Sequence, residues 1–114
     1  MFSVEKNEKY ALVVVNAEKL DSSVSPNLKS QLVVLNAEGF KNIIIDMAAT
    51  RYCDSSGLSA ILVANRLCKN SGGMFVLSNP QENVSKLITI SQLDSILSMA
   101  PTLKDARDIL LQIA

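Results

Sequence analysis

An isoleucine-rich run, Asn42-Ile43-Ile44-Ile45-Asp46-Met47, is followed after the loop Ala48 to Cys53 by Asp54-Ser55-Ser56-Gly57-Leu58. The first segment is short, almost wholly apolar and β-branched, and predicts a buried strand. The second opens a further apolar segment with Asp and Ser, residues that start helices. Two hydroxyls are therefore expected where a strand hands over to a helix N-terminus. Backbone amides and the helix dipole favour a negative group at such a place. A phosphate on either serine would be accommodated there and would change a protein-binding surface.

The rest of the chain supplies the partners such a strand needs. Phe2-Ser3-Val4 alternates, Lys6-Asn7-Glu8-Lys9 is polar, and Tyr10 to Val15 is a strong strand, so an opening hairpin is expected. Asn16 to Ser23 is a polar connector with Glu18 and Asp21. Ser25-Pro26 predicts a helix start, with Ser25 as N-cap and Pro26 at the first helical position; Leu28, Leu32 and Leu35 mark its buried face and Gly39 its stop. Ser56 to Asn70 predicts a second helix. It carries Leu58, Ile61 and Leu62 on one side and Ala60, Val63, Ala64 and Leu67 around the rest, which suits burial against a sheet with part of another face open to a partner.

Ser71-Gly72-Gly73 breaks that helix before the strand Met74 to Leu77. Asn79-Pro80-Gln81-Glu82 predicts a third helix with Asn79 as N-cap and an acid at its third position. A turn over Gln92 to Ser95, an edge-type strand over Ile96 to Met99 and a last helix capped at Thr102 follow. Ala106, Ile109, Leu110 and Ile113 form the apolar stripe of that helix. The order ββαβαβαβα predicts one α/β domain over residues 1–114, a mixed, mostly parallel sheet of five strands covered by four helices.

Composition narrows the chemistry. The chain contains no histidine, which excludes Ser-His-Asp and Cys-His nucleophilic catalysis and His-based acid–base work. The two cysteines, Cys53 and Cys68, lack metal-type spacing and have no histidine to complete a zinc site; they are expected to be reduced thiols. Eleven basic residues balance eleven acidic ones and no basic stripe stands out, which disfavours nucleic-acid binding. No apolar stretch reaches the ~18–20 residues of a membrane span, and Glu5, Lys6, Glu8 and Lys9 interrupt the one candidate signal segment. A cytoplasmic, non-enzymatic protein with no cofactor and no membrane insertion is expected. Asp46 at a strand end invites a reading as a receiver-type phospho-acceptor, yet Asn16-Ala17-Glu18 does not supply the acidic pair that this chemistry needs.

Taken alone, Asp54-Ser55-Ser56-Gly57 is explained by helix capping. Its surroundings add more. The isoleucine-rich strand ending in Asp46, a six-residue loop with Tyr52-Cys53, Asp54-Ser55-Ser56-Gly57-Leu58, Arg66 and Gly72-Gly73 before the next strand together resemble the STAS domain family of anti-sigma factor antagonists. Glu18-Lys19-Leu20-Asp21 resembles the acidic loop before that family's first helix, without the glycine often found there. The resemblance implies an antagonist that binds an anti-sigma factor, itself a GHKL-type serine kinase. It further implies phosphorylation at Ser55, with Ser56 as the alternative, and resetting by a PP2C-type phosphatase. The implied partner-binding residues are Asp21, Asp54, Ser55, Ser56, Gly57 and Leu58. Other members of the family serve as binding subunits of stress-signalling or lipid-transport ABC complexes without a phospho-cycle.

Overall fold

The computed structural model describes residues 1–112. Its elements are β1 (Phe2–Lys6), β2 (Ala11–Val15), β3 (Lys19–Leu20), α1 (Ser25–Ala37), β4 (Ile43–Asp46), β5 (Tyr52–Cys53), α2 (Ser55–Asn70), β6 (Phe75–Ser78), α3 (Glu82–Ile90), β7 (Ser98–Ala100) and α4 (Leu103–Gln112). The main sheet has five strands in the order β1-β2-β4-β6-β7. β1 and β2 form the expected antiparallel hairpin, Phe2 opposite Val15, and the other neighbours are parallel.

The continuous isoleucine run follows from this topology. β4 is central, so both of its faces are covered. Ile43 and Ile45 point into a core shared with α1, α2 and α3, whereas Ile44 joins Leu12, Val76, Ala106 and Leu110 beneath α4 on the other face. α1 buries Leu28, Leu32 and Leu35 as expected and ends in a Schellman-type turn. There Gly39 takes φ 104°, and the amides of Gly39 and Phe40 donate to Asn36 and Leu35. Thr102 caps α4 by accepting the Asp105 amide at 3.1 Å. Ala106 and Leu110 are buried in α4 and Ile109 packs beside them, while Ile113 lies outside the described residues.

Two expected caps are corrected. The N-cap of α1 is Val24, with Ser25 already inside the helix. The Asp21 carbonyl accepts the amides of Val24 and Ser25, so the turn into the helix closes on backbone and the Ser25 side chain is turned inward. The N-cap of α3 is Gln81, two residues later than Asn79. Asn79 instead adopts a left-handed conformation, φ 53°, and its side chain crosses to the Asp46 carboxylate.

The polar connector and the loop after β4 also hold more order than their sequences predict. β3 and β5 pair in parallel as a separate two-stranded sheet, Lys19 opposite Tyr52 and Leu20 opposite Cys53. Each is two residues long and has no periodicity of its own; their stability comes from one another. Among the described residues, no helix is long and apolar enough to cross a membrane.

Candidate functional site

The paired loops bring the acidic connector to the start of α2. The Glu18 carbonyl accepts the amides of Arg51 and Tyr52, at 2.8 and 3.1 Å, and the Leu20 carbonyl accepts the Asp54 amide at 3.3 Å. Below them the fully buried Thr50 donates its hydroxyl to the Ala17 carbonyl at 2.8 Å. Asp21 and Asp54, distant in sequence, thereby become neighbours.

Asp54 is the N-cap of α2. Its Oδ1 accepts the Gly57 amide at 3.0 Å and the Ser56 hydroxyl at 2.6 Å. The Ser56 hydroxyl, then the Gly57 amide, hold the Asp54 carboxyl below the usual carboxylate range. Asp21 is held low in the same way, by the Ser23 hydroxyl at 2.6 Å and then the Ser23 amide at 3.0 Å, while the negative charge of Asp54 works against it. Both are therefore ionised at neutral pH, and the site presents paired negative charges.

The two serines differ sharply. Ser55 is exposed in the first turn of α2, and its hydroxyl takes no part in the bonds that tie Asp54, Ser56 and Gly57 together. Ser56 is half-buried, bonded to Asp54, and 3.3 Å from the hydroxyl of Ser25 on α1. Of the expected partner-binding set, Asp21, Asp54 and Ser55 reach the surface and Ser56 does so in part. Gly57 and Leu58 do not: both are buried.

Gly57 is required by packing. Its φ is unexceptional, but a Cβ there would collide with the Leu20 carbonyl and would lie 2.6 Å from Cys53 Sγ. The helix can seat this closely against β3 and β5 because residue 57 has no side chain. Cys53 is enclosed by that packing; burial first, and the Asp54 charge second, push its thiol up to about 12. It stays a protonated packing group. Asp46, the receiver-type candidate, is buried, and its two oxygens accept the Ala48 amide at 2.9 Å and the Asn79 side chain at 3.2 Å. This carboxylate braces the loops at the C-terminal end of the central strand β4.

Sequence reasoning missed Ser25 and Thr50 as site residues. Ser25 carried a signal, but a capping one; Thr50 carried none, since its partner is a carbonyl 33 residues away. Among the described residues there is no group of three or more Cys, Asp or Glu placed to hold a metal ion.

A sequence model of the STAS domain matches residues 2–106. A Thermotoga maritima protein named "Putative anti-sigma factor antagonist" is 27% identical over 71 residues, 62% of this chain and 63% of that protein, so the match spans less than two thirds of the relative's length. The structure of the anti-sigma factor antagonist SpoIIAA in its unphosphorylated form superposes with a TM-score of 0.83 at 22% identity, covering 100% of this chain and 99% of that one. The phosphorylated form of the Bacillus cell fate determinant SpoIIAA superposes with a TM-score of 0.75 at 21% identity, covering 96% and 99%. The sequence match extends through the hairpin, the acidic loop, the Asp54-Ser55-Ser56-Gly57 helix start and the strands beyond, and on that ground the chain belongs to the STAS domain family.

Proposed function

We propose that this chain is an anti-sigma factor antagonist. Its unphosphorylated form binds an anti-sigma factor that is itself a GHKL-type serine kinase, which frees the sigma factor. Phosphorylation of Ser55 ends the binding, and a PP2C-type phosphatase restores it. The chain acts in the cytoplasm by binding, without catalysis or cofactor. The observation that carries this reading is the exposed, unengaged Ser55 hydroxyl in the first turn of α2, beside the carboxylates of Asp54 and Asp21. The names of its relatives support the antagonist role, and the two solved forms of SpoIIAA support the phospho-cycle.

The physics of the switch is electrostatic. A phosphate adds roughly −1.5 to −2 charges at neutral pH. The helix N-terminus tolerates that charge on the free domain. In an interface that also encloses Asp54 and Asp21, the same charge is desolvated and repelled; a loss of about 3 kcal/mol lowers affinity more than a hundredfold. The fold itself need not change.

Phosphopeptide analysis of the protein taken from its own cells tests the reading first. Phosphate on Ser55 supports the switch. Its absence under growth, starvation and stress alike points to a constitutive binding subunit of a larger assembly. Ser55→Ala is expected to keep partner binding and lose phosphorylation. Ser55→Asp is expected to weaken binding while its melting temperature stays near that of the natural chain; if it unfolds the domain, Ser55 serves the helix start instead.

A further inference from the structure

The main sheet ends in two unpaired edges, β1 and β7, and they are not alike. β7 is three residues long and is followed by Pro101, which has no amide to donate. β1 is five residues long and contains no proline. In the β1–β2 ladder the Met1 carbonyl accepts the Asn16 amide at 2.7 Å, and the Asn7 amide donates to the Tyr10 carbonyl at 3.1 Å. With Phe2 opposite Val15, this register turns the backbone polar groups of Ser3 and Glu5 toward β2. The amides and carbonyls of Phe2, Val4 and Lys6 therefore face outward, where another strand can take them. Charged side chains ordinarily guard such an edge. Here the Lys6 ammonium is drawn aside to Glu38 at 2.9 Å and lies 6.0 Å from the centre of the Phe40 ring.

We propose that a second copy of this chain pairs with β1, antiparallel, about a two-fold axis through Val4. The edge itself selects this register. Only outward-facing residues exchange bonds, so Phe2, Val4 and Lys6 must meet the same set in the second copy. With Val4 opposite Val4, Phe2 meets Lys6 and every outward amide and carbonyl finds a partner. Moving the axis to Glu5 sets Glu5 against Glu5, and moving it to Lys6 sets Lys6 against Lys6; like charges directly opposite are unfavourable. Moving it back to Ser3 pairs Lys6 with nothing inside β1. In the favoured register Ser3 stands opposite Glu5 of the second copy as a close, non-hydrogen-bonded pair. Their chemistry matches. Ser3 Oγ accepts Asn16 Nδ2 at 2.8 Å, so its proton is free for a carboxylate. Glu5 is exposed and joins none of the ion pairs among the described residues. On the other face the half-buried Phe2 and Val4, which pack against the core of each copy, meet across the axis. α1 carries Val34, 51% exposed, one turn before the Glu38 that reaches Lys6. The two-fold brings the Val34 side chains of both copies toward each other and covers them.

Sedimentation velocity on the full-length natural chain, read across a concentration series, tests this. A reversible dimer is expected. Ser3→Glu sets carboxylates opposite each other on both sides of the axis and is expected to weaken the dimer about tenfold. Combining it with Glu5→Lys restores opposite charges and is expected to restore the dimer, a rescue that a chain damaged in its fold would not show. Val4→Cys places thiols on the axis, with Cα atoms about 5.5 Å apart, within reach of a disulfide. Mild oxidation is expected to join that variant into a covalent dimer and to leave the natural chain, whose Cys68 is buried and Cys53 half-buried, unlinked. A natural chain that stays monomeric up to about 1 mM overturns the proposal. So does a dimer whose strength is unchanged in a folded Ser3→Glu, which would place the interface elsewhere. The pairing does not rest on the phospho-switch, since none of these variants touches the start of α2.

Discussion

Two helices begin on a polar tetrapeptide, α2 at Asp54-Ser55-Ser56-Gly57 and α3 near Asn79-Pro80-Gln81-Glu82, and they use it differently. At α2 the acidic side chain folds back on its own first turn, accepting the Ser56 hydroxyl and the Gly57 backbone amide. At α3 the Asn79 side chain leaves its helix altogether, bonds Asp46 at the end of β4, and accepts a left-handed backbone to do so. Gln81 continues the same reach by donating its side-chain amide to the Ala48 carbonyl. The α2 start closes its Asp54 cap on its own first turn, meets α1 through the Ser56–Ser25 hydroxyl contact, and leaves Ser55 exposed. The other is open and braces, from behind, the loop that leads into β5.

The largest effect that would sharpen this contrast is at Gly57. Alanine is the better helix former, yet its Cβ would meet the backbone carbonyl of Leu20, which cannot swing aside as a side-chain tip can. Gly57→Ala is expected to cost about 1–3 kcal/mol in urea unfolding and to abolish partner binding by displacing β3. A stability equal to that of the natural chain would mean that the seat against β3 yields.

Asn79→Ala is expected to come next, at about 2 kcal/mol, because it loses a bond to a carboxylate and places alanine at positive φ. Asn79→Gly removes the bond and relieves the backbone, so its cost should be smaller. Neither should change where phosphate goes. If Asn79→Gly shifts phosphate from Ser55 to Ser56, the two helix starts are coupled more tightly than their hydrogen bonds indicate.

The smallest effect is acid dependence. Asp54 and Asp21 titrate lower in the folded protein than their ordinary value of 3.8. The stability they contribute is fully present above that value and is lost as pH falls through the lower folded values. Unfolding midpoints measured from pH 6 downward should therefore fall in acid. Asp54→Asn should flatten that limb, whereas Asn79→Gly should leave it intact. An unchanged limb in Asp54→Asn would assign the acid sensitivity to other carboxylates.

The sequence by itself determined every element whose stabilising pattern is local or periodic. The isoleucine run of β4, the leucine spacing of α1, the Gly39 stop and the capping of α4 by Thr102 all follow from residues within a few positions of one another. The Asp54-Ser55-Ser56-Gly57 site belongs to the same class, since its cap closes within three residues. Tertiary structure decided what depends on partners about thirty residues away. β3 and β5 exist because two short polar segments meet, and Ser25 faces Ser56 because α1 and α2 pack side by side. Asn79 and Ser25 were both legible as caps; Asn79 is diverted by the Asp46 carboxylate 33 residues away, whereas Ser25 donates to the Asp21 carbonyl one turn before it. A capping residue offers one short polar side chain to whichever partner is nearer. Sequence identifies the offer, and only packing brings the distant partner close enough to outbid the helix's own amides.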